Sequence, residues 1–572
     1  MATYKALNPR GEVAESLKVI GLNPRVTDLN NVTLGLFATH KGHWMSILEE
    51  VGKQLQERYP GLKLSKFRYL EDLNSYNQCN EVGLDERHLD DFKEFLSGVD
   101  TVLVGNGDAG SCTLYCTYNT TWVEKLGKPA VLLTQDLFLD ILKTAAKFKR
   151  VPTLRYVTNN IGDLSYMTIP DKAAYIRDVL PGQVSPMIDN VIERLTTPLT
   201  PEEADPIDDE VKLPRIVVEG SFEDVNKYFY QQYWSYGMPI VPPTEEAVKM
   251  MLEGTDLPPD HVVALIPPKR TQATVEKIAI NAVMAGCLPT HLPVVIAAVE
   301  ALVDPLVWSE AFTISVASWA PMFVVNGPVR HDIDISYGVG VFSPYNRANA
   351  AIAHAVGLIV MNLGSVRRGF EDRGMFGHEG HFGFMIGENE EASPWEPWHV
   401  FKGFDKEDST VTLTFPNSRE LLLCDNEPGN IFRYICERVP YMGFDPGCSF
   451  VLCPAAARVL NDAGYGRTDF TAYIMEYARR PAREINSGWM KDNCHVMPGM
   501  ILPESPDVTV KKFFSDIHMP AFVSGMDYGN AILLYGGGGD HGRPTIAKAN
   551  FPKNWNKLVA QYKDFSRLAE SK

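Results

Sequence analysis

The sequence predicts an α/β protein: a doubly wound parallel sheet at the N-terminus, followed by a larger mixed α/β domain. Three observations carry that expectation. Over the first 195 residues, apolar strand-like runs alternate with helix-like stretches, which implies parallel pairing through right-handed crossovers. Thr196 to Pro214 is rich in proline and acid and reads as a linker. From Arg215 the regular alternation stops.

Taken in order, Val32 to Thr39 reads as the first strand and Trp44 to Arg58 as the amphipathic helix after it. Leu62 to Tyr69 and Glu86 to Leu96 repeat the pair. Thr101 to Gly105 is the third strand, followed by a helix from Ser111 to Leu126. Ala130 to Thr134 and Leu154 to Thr158 complete the strands, with helices over Leu137–Phe148 and Lys172–Leu195. The expected sheet order is the flavodoxin-like 2-1-3-4-5. Three domain segments follow: 1–195, the linker 196–214, and 215–572 as one larger domain or two subdomains. In the last, a helix is expected over Thr271–Ala285 and another over Leu292–Leu302. No internal repeat is visible.

Composition narrows the function classes. The chain has 572 residues, 45% of them hydrophobic and 22% charged, which describes a globular protein too long for one core. A formal charge of −17 argues against nucleic acid or an anionic membrane as partner. No apolar run is long enough to cross a membrane, and the first residues lack a signal-peptide core. Nine scattered cysteines fit reduced thiols in a cytoplasm. A small-molecule substrate and a homo-oligomer are expected.

The densest chemistry lies in Gly105-Asn-Gly107-Asp108-Ala-Gly110-Ser111-Cys112-Thr113. A strand ends in a glycine-rich turn whose amides can approach an anion, and a cysteine stands where a helix starts. Unpaired N–H groups and the helix dipole there favour the thiolate. Alternatively, Cys112 simply packs a tight turn. In the expected topology, ligands bind where strand order reverses, between the first and third strands. That brings the loop Thr39-His40-Lys-Gly-His43 beside Cys112, with His40 or His43 as proton carrier. Gly107, Asp108, Gly110 and Thr113 would hold substrate, and Ser111 would assist catalysis. Cys116 lies one helical turn on, so His40, His43, Cys112 and Cys116 form the metal alternative.

The second region places polar groups in apolar surroundings: Asn281, Cys287, Asn326, Arg347 and Asn349. Such amides either knit the backbone or line a pocket, and Arg347 suits a carboxylate or phosphate. Glu388 and Glu390 stand in a run of carboxylates, prolines and indoles that reads as a wall or lid, or as a solvated loop. His378 and His381 have metal-like spacing without an obvious third ligand. Finally, an apolar strand runs into four glycines, His541 and Arg543, an anion-binding type of turn. No P-loop and no dinucleotide fingerprint follows a strand, so no nucleotide cofactor is expected.

The segment Asp108-Ala-Gly-Ser-Cys-Thr113, with Glu124-Lys-Leu-Gly-Lys-Pro-Ala-Val after it, resembles the UGSC-motif (seleno)proteins, named for a Sec/Cys-Gly-Ser-Cys loop after a strand. The resemblance covers the N-terminal domain. The second region looks like the larger domain that accompanies such proteins, through Tyr236–Thr244, Asn281–Cys287, Val325–Pro328 and Glu388–Glu396. Ala109 stands at the family's first Sec/Cys position, and Cys112 keeps the second. A redox dithiol is therefore impossible in this loop, and a one-thiol mechanism gains. A looser likeness to aspartate/glutamate racemases rests on a cysteine after a strand; those enzymes use two opposed cysteines.

The expectation is an enzyme that uses Cys112, assisted by histidine, to cleave a carbon–heteroatom bond in a small carboxylate-bearing molecule, as a lyase or hydrolase. Asn326, Arg347, Asn349, Glu388, Glu390, His541 and Arg543 would cover the substrate. No cofactor is expected, a divalent metal being the minority case. Thiol oxidoreductase, metal enzyme and non-catalytic binding protein stand as alternatives.

Overall fold

The computed structural model describes residues 2–13, 18–38, 42–68, 89–107, 110–161, 171–208, 213–307, 309–315, 318–343, 345–442, 448–481, 509–511, 519–536 and 544–566. After a first strand, Tyr4–Leu7 (β1), the chain lays down Thr33–Ala38 (β2), Lys63–Arg68 (β3), Thr101–Gly107 (β4), Ala130–Gln135 (β5) and Tyr156–Asn159 (β6). These last five form one all-parallel sheet in the order β3-β2-β4-β5-β6. Counted from β2, this is the expected flavodoxin-like order 2-1-3-4-5. The central strands are apolar on both faces, as helix-covered parallel strands must be: Val102 to Val104 and Ala130 to Leu133 are buried.

The helices after β2, β3, β4 and β5 run over Gly42–Arg58, Leu89–Ser97, Gly110–Lys125 and Leu139–Phe148. The single helix expected over Lys172–Leu195 is broken into Lys172–Asp178, Leu180–Val184 and Ile188–Thr196. Pro181 and Pro186 stand at the breaks, and each lacks the N–H that a continuous helix requires.

The linker is not a free tether. Thr200 caps a short helix, Pro201–Ala204, in a reciprocal box with Glu203. Arg155 then grips Glu203 with two hydrogen bonds of 2.8 Å and also donates to the Thr197 and Pro198 carbonyls. Those Arg155 hydrogen bonds, working against burial, hold the Glu203 carboxyl down at about 2. The segment is thereby strapped to the N-terminal sheet.

The first strand leaves that sheet. It pairs antiparallel with Ile216–Gly220 (β7), and Gly11–Val13 continue onto the second region, where Gln272 N donates to the Glu12 carbonyl. Asn281, an amide singled out above, donates to the Pro9 carbonyl and accepts from Asn362, so it knits backbone. Val262–Ile266 (β8) and Thr271–Thr274 (β9) form a hairpin. The helix expected from Thr271 therefore starts later, at Val275, because Thr274 turns its hydroxyl onto Lys277 N and caps it.

Two four-stranded mixed sheets complete the chain. Their strands are Met322–Asn326 (β10), Phe384–Gly387 (β11), Thr410–Thr414 (β12), Ser418–Cys424 (β13), Cys448–Leu452 (β14), Ala521–Val523 (β17), Asn530–Gly536 (β18) and Thr545–Lys548 (β19); Arg479–Pro481 (β15) and Thr509–Lys511 (β16) pair apart from them. One sheet runs β11-β10-β12-β19 and the other β17-β14-β18-β13. In each, the first two strands are parallel and the remaining pairings antiparallel. β10 to β13 and β14 to β19 are thus two copies of one topology, and each copy gives its last strand to the other's sheet. This repeat was not visible in the sequence, because it lies in strand order and sense.

The helix Gly110–Lys125 joins the regions. Leu114, Tyr115 and Tyr118 belong to the same buried core as Phe312 and Ile314 of the second region. Cys112 and Cys116, on another face, pack against the N-terminal sheet.

Candidate functional site

The order reversal between β2 and β4 places the starts of the two following helices at one edge of the sheet. Cys112 is the third residue of Gly110–Lys125, within the turn whose N–H groups lack intrahelical partners. It is half-buried. Ser111 precedes it, and His43 is the second residue of the neighbouring helix. His40 and Asp108 lie outside the described residues, as do His541 and Arg543.

Two glycines set the packing here. A Cβ on Gly107 would stand 2.8 Å from Thr113 Oγ1 and 3.0 Å from Thr134 Oγ1, so glycine lets the helix lie close on its strand. Thr113 is consequently buried in that interface rather than in the crevice. A Cβ on Gly110 would stand 2.0 Å from the Ile314 carbonyl oxygen. The second region therefore presses a backbone segment directly onto the start of the Cys112 helix.

Other thiols differ. Burial pushes Cys424 up to about 11 and Cys436 up to about 12, and it raises Cys287 and Cys453 as well. Cys116, the fourth ligand of the metal alternative, is fully buried in the sheet core. Among the described residues no group of three or more His, Cys, Asp or Glu is placed to hold a metal ion. His378 Nδ1 accepts from Gly380 N at 2.9 Å, and His381 Nε2 donates to the Trp319 carbonyl at 2.8 Å.

The expected covering residues fall into two other places. Arg347 and Asn349 line a cavity of about 660 Å³, whose lining contains none of Gly105–Cys112. They begin the helix Arg347–Gly364, which Asn346 caps by accepting from Asn349 N. Arg347, Ala350, Ala351 and His354 line the cavity at helical spacing. Burial holds His354 below the ordinary histidine value, which favours its neutral form. Arg347 is exposed and donates to the Gly286 carbonyl at 3.2 Å. The Asn349 amide is spent on the backbone of Ser336 and Met385.

Asn326, Glu388 and Glu390 form a network of their own. Glu388 is 0% exposed and accepts from Asn326 Nδ2, Trp398 N, Arg467 Nη2 and Val523 N at 2.6–3.2 Å. Glu390 accepts from Asn326 Nδ2 and Gly327 N and pairs with Arg330 at 3.0 Å. Burial raises the Glu391 carboxyl, but hydrogen bonds from Arg330 and His331 outweigh it and hold the group at about 2. The run is thus neither a lid nor a solvated loop but the joint between the two mixed sheets, where Asn389 N donates to the Val523 carbonyl and Ser524 Oγ to Gly387.

Arg330 and Arg467 were missed from sequence. The only signal was indirect: a carboxylate in apolar surroundings needs a cation.

Fold and site together define a flavodoxin-like α/β domain with a cysteine at the first turn of the helix after its third strand. Residues 5–174 match the model of the UGSC family, so the N-terminal part of the chain is a UGSC-family region. No curated protein and no solved structure matches the chain. The family's Glu124 has a structural task here: it accepts from Asn23, Arg25 and Ala130 N, tying the helix end to β5.

Proposed function

We propose that the chain is an enzyme centred on the Cys112 thiol, acting on a small carboxylate-bearing molecule by lyase or hydrolytic cleavage of a carbon–heteroatom bond. The observation that carries this reading is the contact of Gly110 with Ile314: the anion-favouring start of the Cys112 helix is walled by the second region. In the hydrolytic form, the thiolate bonds to the electrophilic carbon as the carbon–heteroatom bond breaks. The leaving heteroatom takes a proton, for which His43 is the assigned carrier, and water releases the product and restores the thiol.

The test is turnover of a panel of small amino, amide and β-substituted carboxylates, followed by NMR, with wild type and Cys112→Ser. The reading expects at least about a thousand-fold loss in the variant. Turnover that survives the substitution contradicts it.

A second reading, carboxylate binding without thiol chemistry, is favoured by the cavity beside Arg347. It expects ligand binding that Arg347→Ala abolishes and Cys112→Ser leaves intact.

A further inference from the structure

We propose that a second cleft, between the N-terminal domain and the second region, binds a small phosphate monoester. The cleft has a volume of about 380 Å³, within the range of small-molecule sites. Lys147 reaches it from the helix Leu139–Phe148 of the N-terminal sheet. Arg10 enters from the strap that follows β1, and Lys269 and Arg367 come from the second region. Four cationic side chains thus face one space in a chain whose formal charge is −17.

The carboxylate in the lining is Glu371, which is committed to Arg367 through contacts of 2.7 and 3.0 Å. Setting that pair aside leaves Arg10, Lys147 and Lys269, a charge suited to a phosphate monoester's near-double negative charge. Arg10 Nη2 also stands 2.8 Å from Ser365 Oγ, which puts a hydroxyl and a guanidinium on one wall. The space exceeds what orthophosphate fills, and Phe148, Trp234 and Met361 add apolar surface for an organic body. Because the cations come from both regions, a bound ester would brace them together. None of this depends on Cys112 chemistry.

The test is calorimetric titration of the full chain, at constant ionic strength, with glycerol 3-phosphate and ribose 5-phosphate, and separately with inorganic phosphate and citrate. Saturable binding of an ester, tighter than inorganic phosphate or citrate, is expected. Lys147→Ala, at an exposed position, should weaken it about tenfold, and Lys269→Ala similarly. Absence of saturable ester binding overturns the proposal. So does citrate or inorganic phosphate binding as tightly as the esters, or full affinity in both lysine variants with unchanged melting.

Discussion

Glu388→Ala is expected to destabilise the second region by about 3–5 kcal/mol, the cost of leaving a buried charge without its partner. The Arg467 side chain is 3% exposed and its Nη2 lies 3.1 Å from Glu388 Oε1. It cannot turn to water, because it is packed among Trp395, Trp398 and Phe401 and also donates to the Ala521 and Glu396 carbonyls. Alanine would in addition orphan the amides of Trp398 and Val523. Glu388→Gln, which keeps an acceptor but not the charge, should cost less. Since several cores unfold in one chain, the check is the thermal or denaturant transition reported by fluorescence of the two buried indoles. Wild-type-like unfolding of the alanine variant would refute the network as a structural joint.

Gly110→Ala is expected to part the two regions at the Cys112 helix. The added carbon would sit 2.0 Å from a backbone oxygen, and a backbone atom cannot swing aside as a flexible side chain can. Overpacking of this kind costs about 1–3 kcal/mol. The readout is twofold: a lowered melting temperature, and faster alkylation of Cys112 as the Ile314 segment lifts. A variant that melts and alkylates like wild type would mean the contact closes nothing.

How much of this was legible in the sequence depended on distance along the chain. The N-terminal sheet was legible because each strand and its covering helix are neighbours, and strands apolar on both faces, such as Ala130–Leu133, announce themselves. Its topology then placed Cys112 beside the start of the His43 helix without any long-range information. The second region resisted for the opposite reason. β13 and β19 each pair in the sheet of the other repeat, so no local pattern reveals where they go. The Glu388–Glu390 run was read correctly as unusual and incorrectly as a cover, because Arg467 lies 79 residues away from Glu388. Asn326 and Asn349 were likewise recognisable as buried amides, while their partners were not.

The central claim is that Cys112 is a reactive thiol, and its alkylation tests that most directly. Iodoacetamide labelling at pH 7, quantified for each cysteine by mass spectrometry, is compared between the native chain and the chain unfolded in urea. The account predicts that Cys112 reacts faster in the native state than when unfolded, whereas Cys424 and Cys436, raised by burial, react more slowly. Native Cys112 reacting no faster than unfolded Cys112 would contradict it.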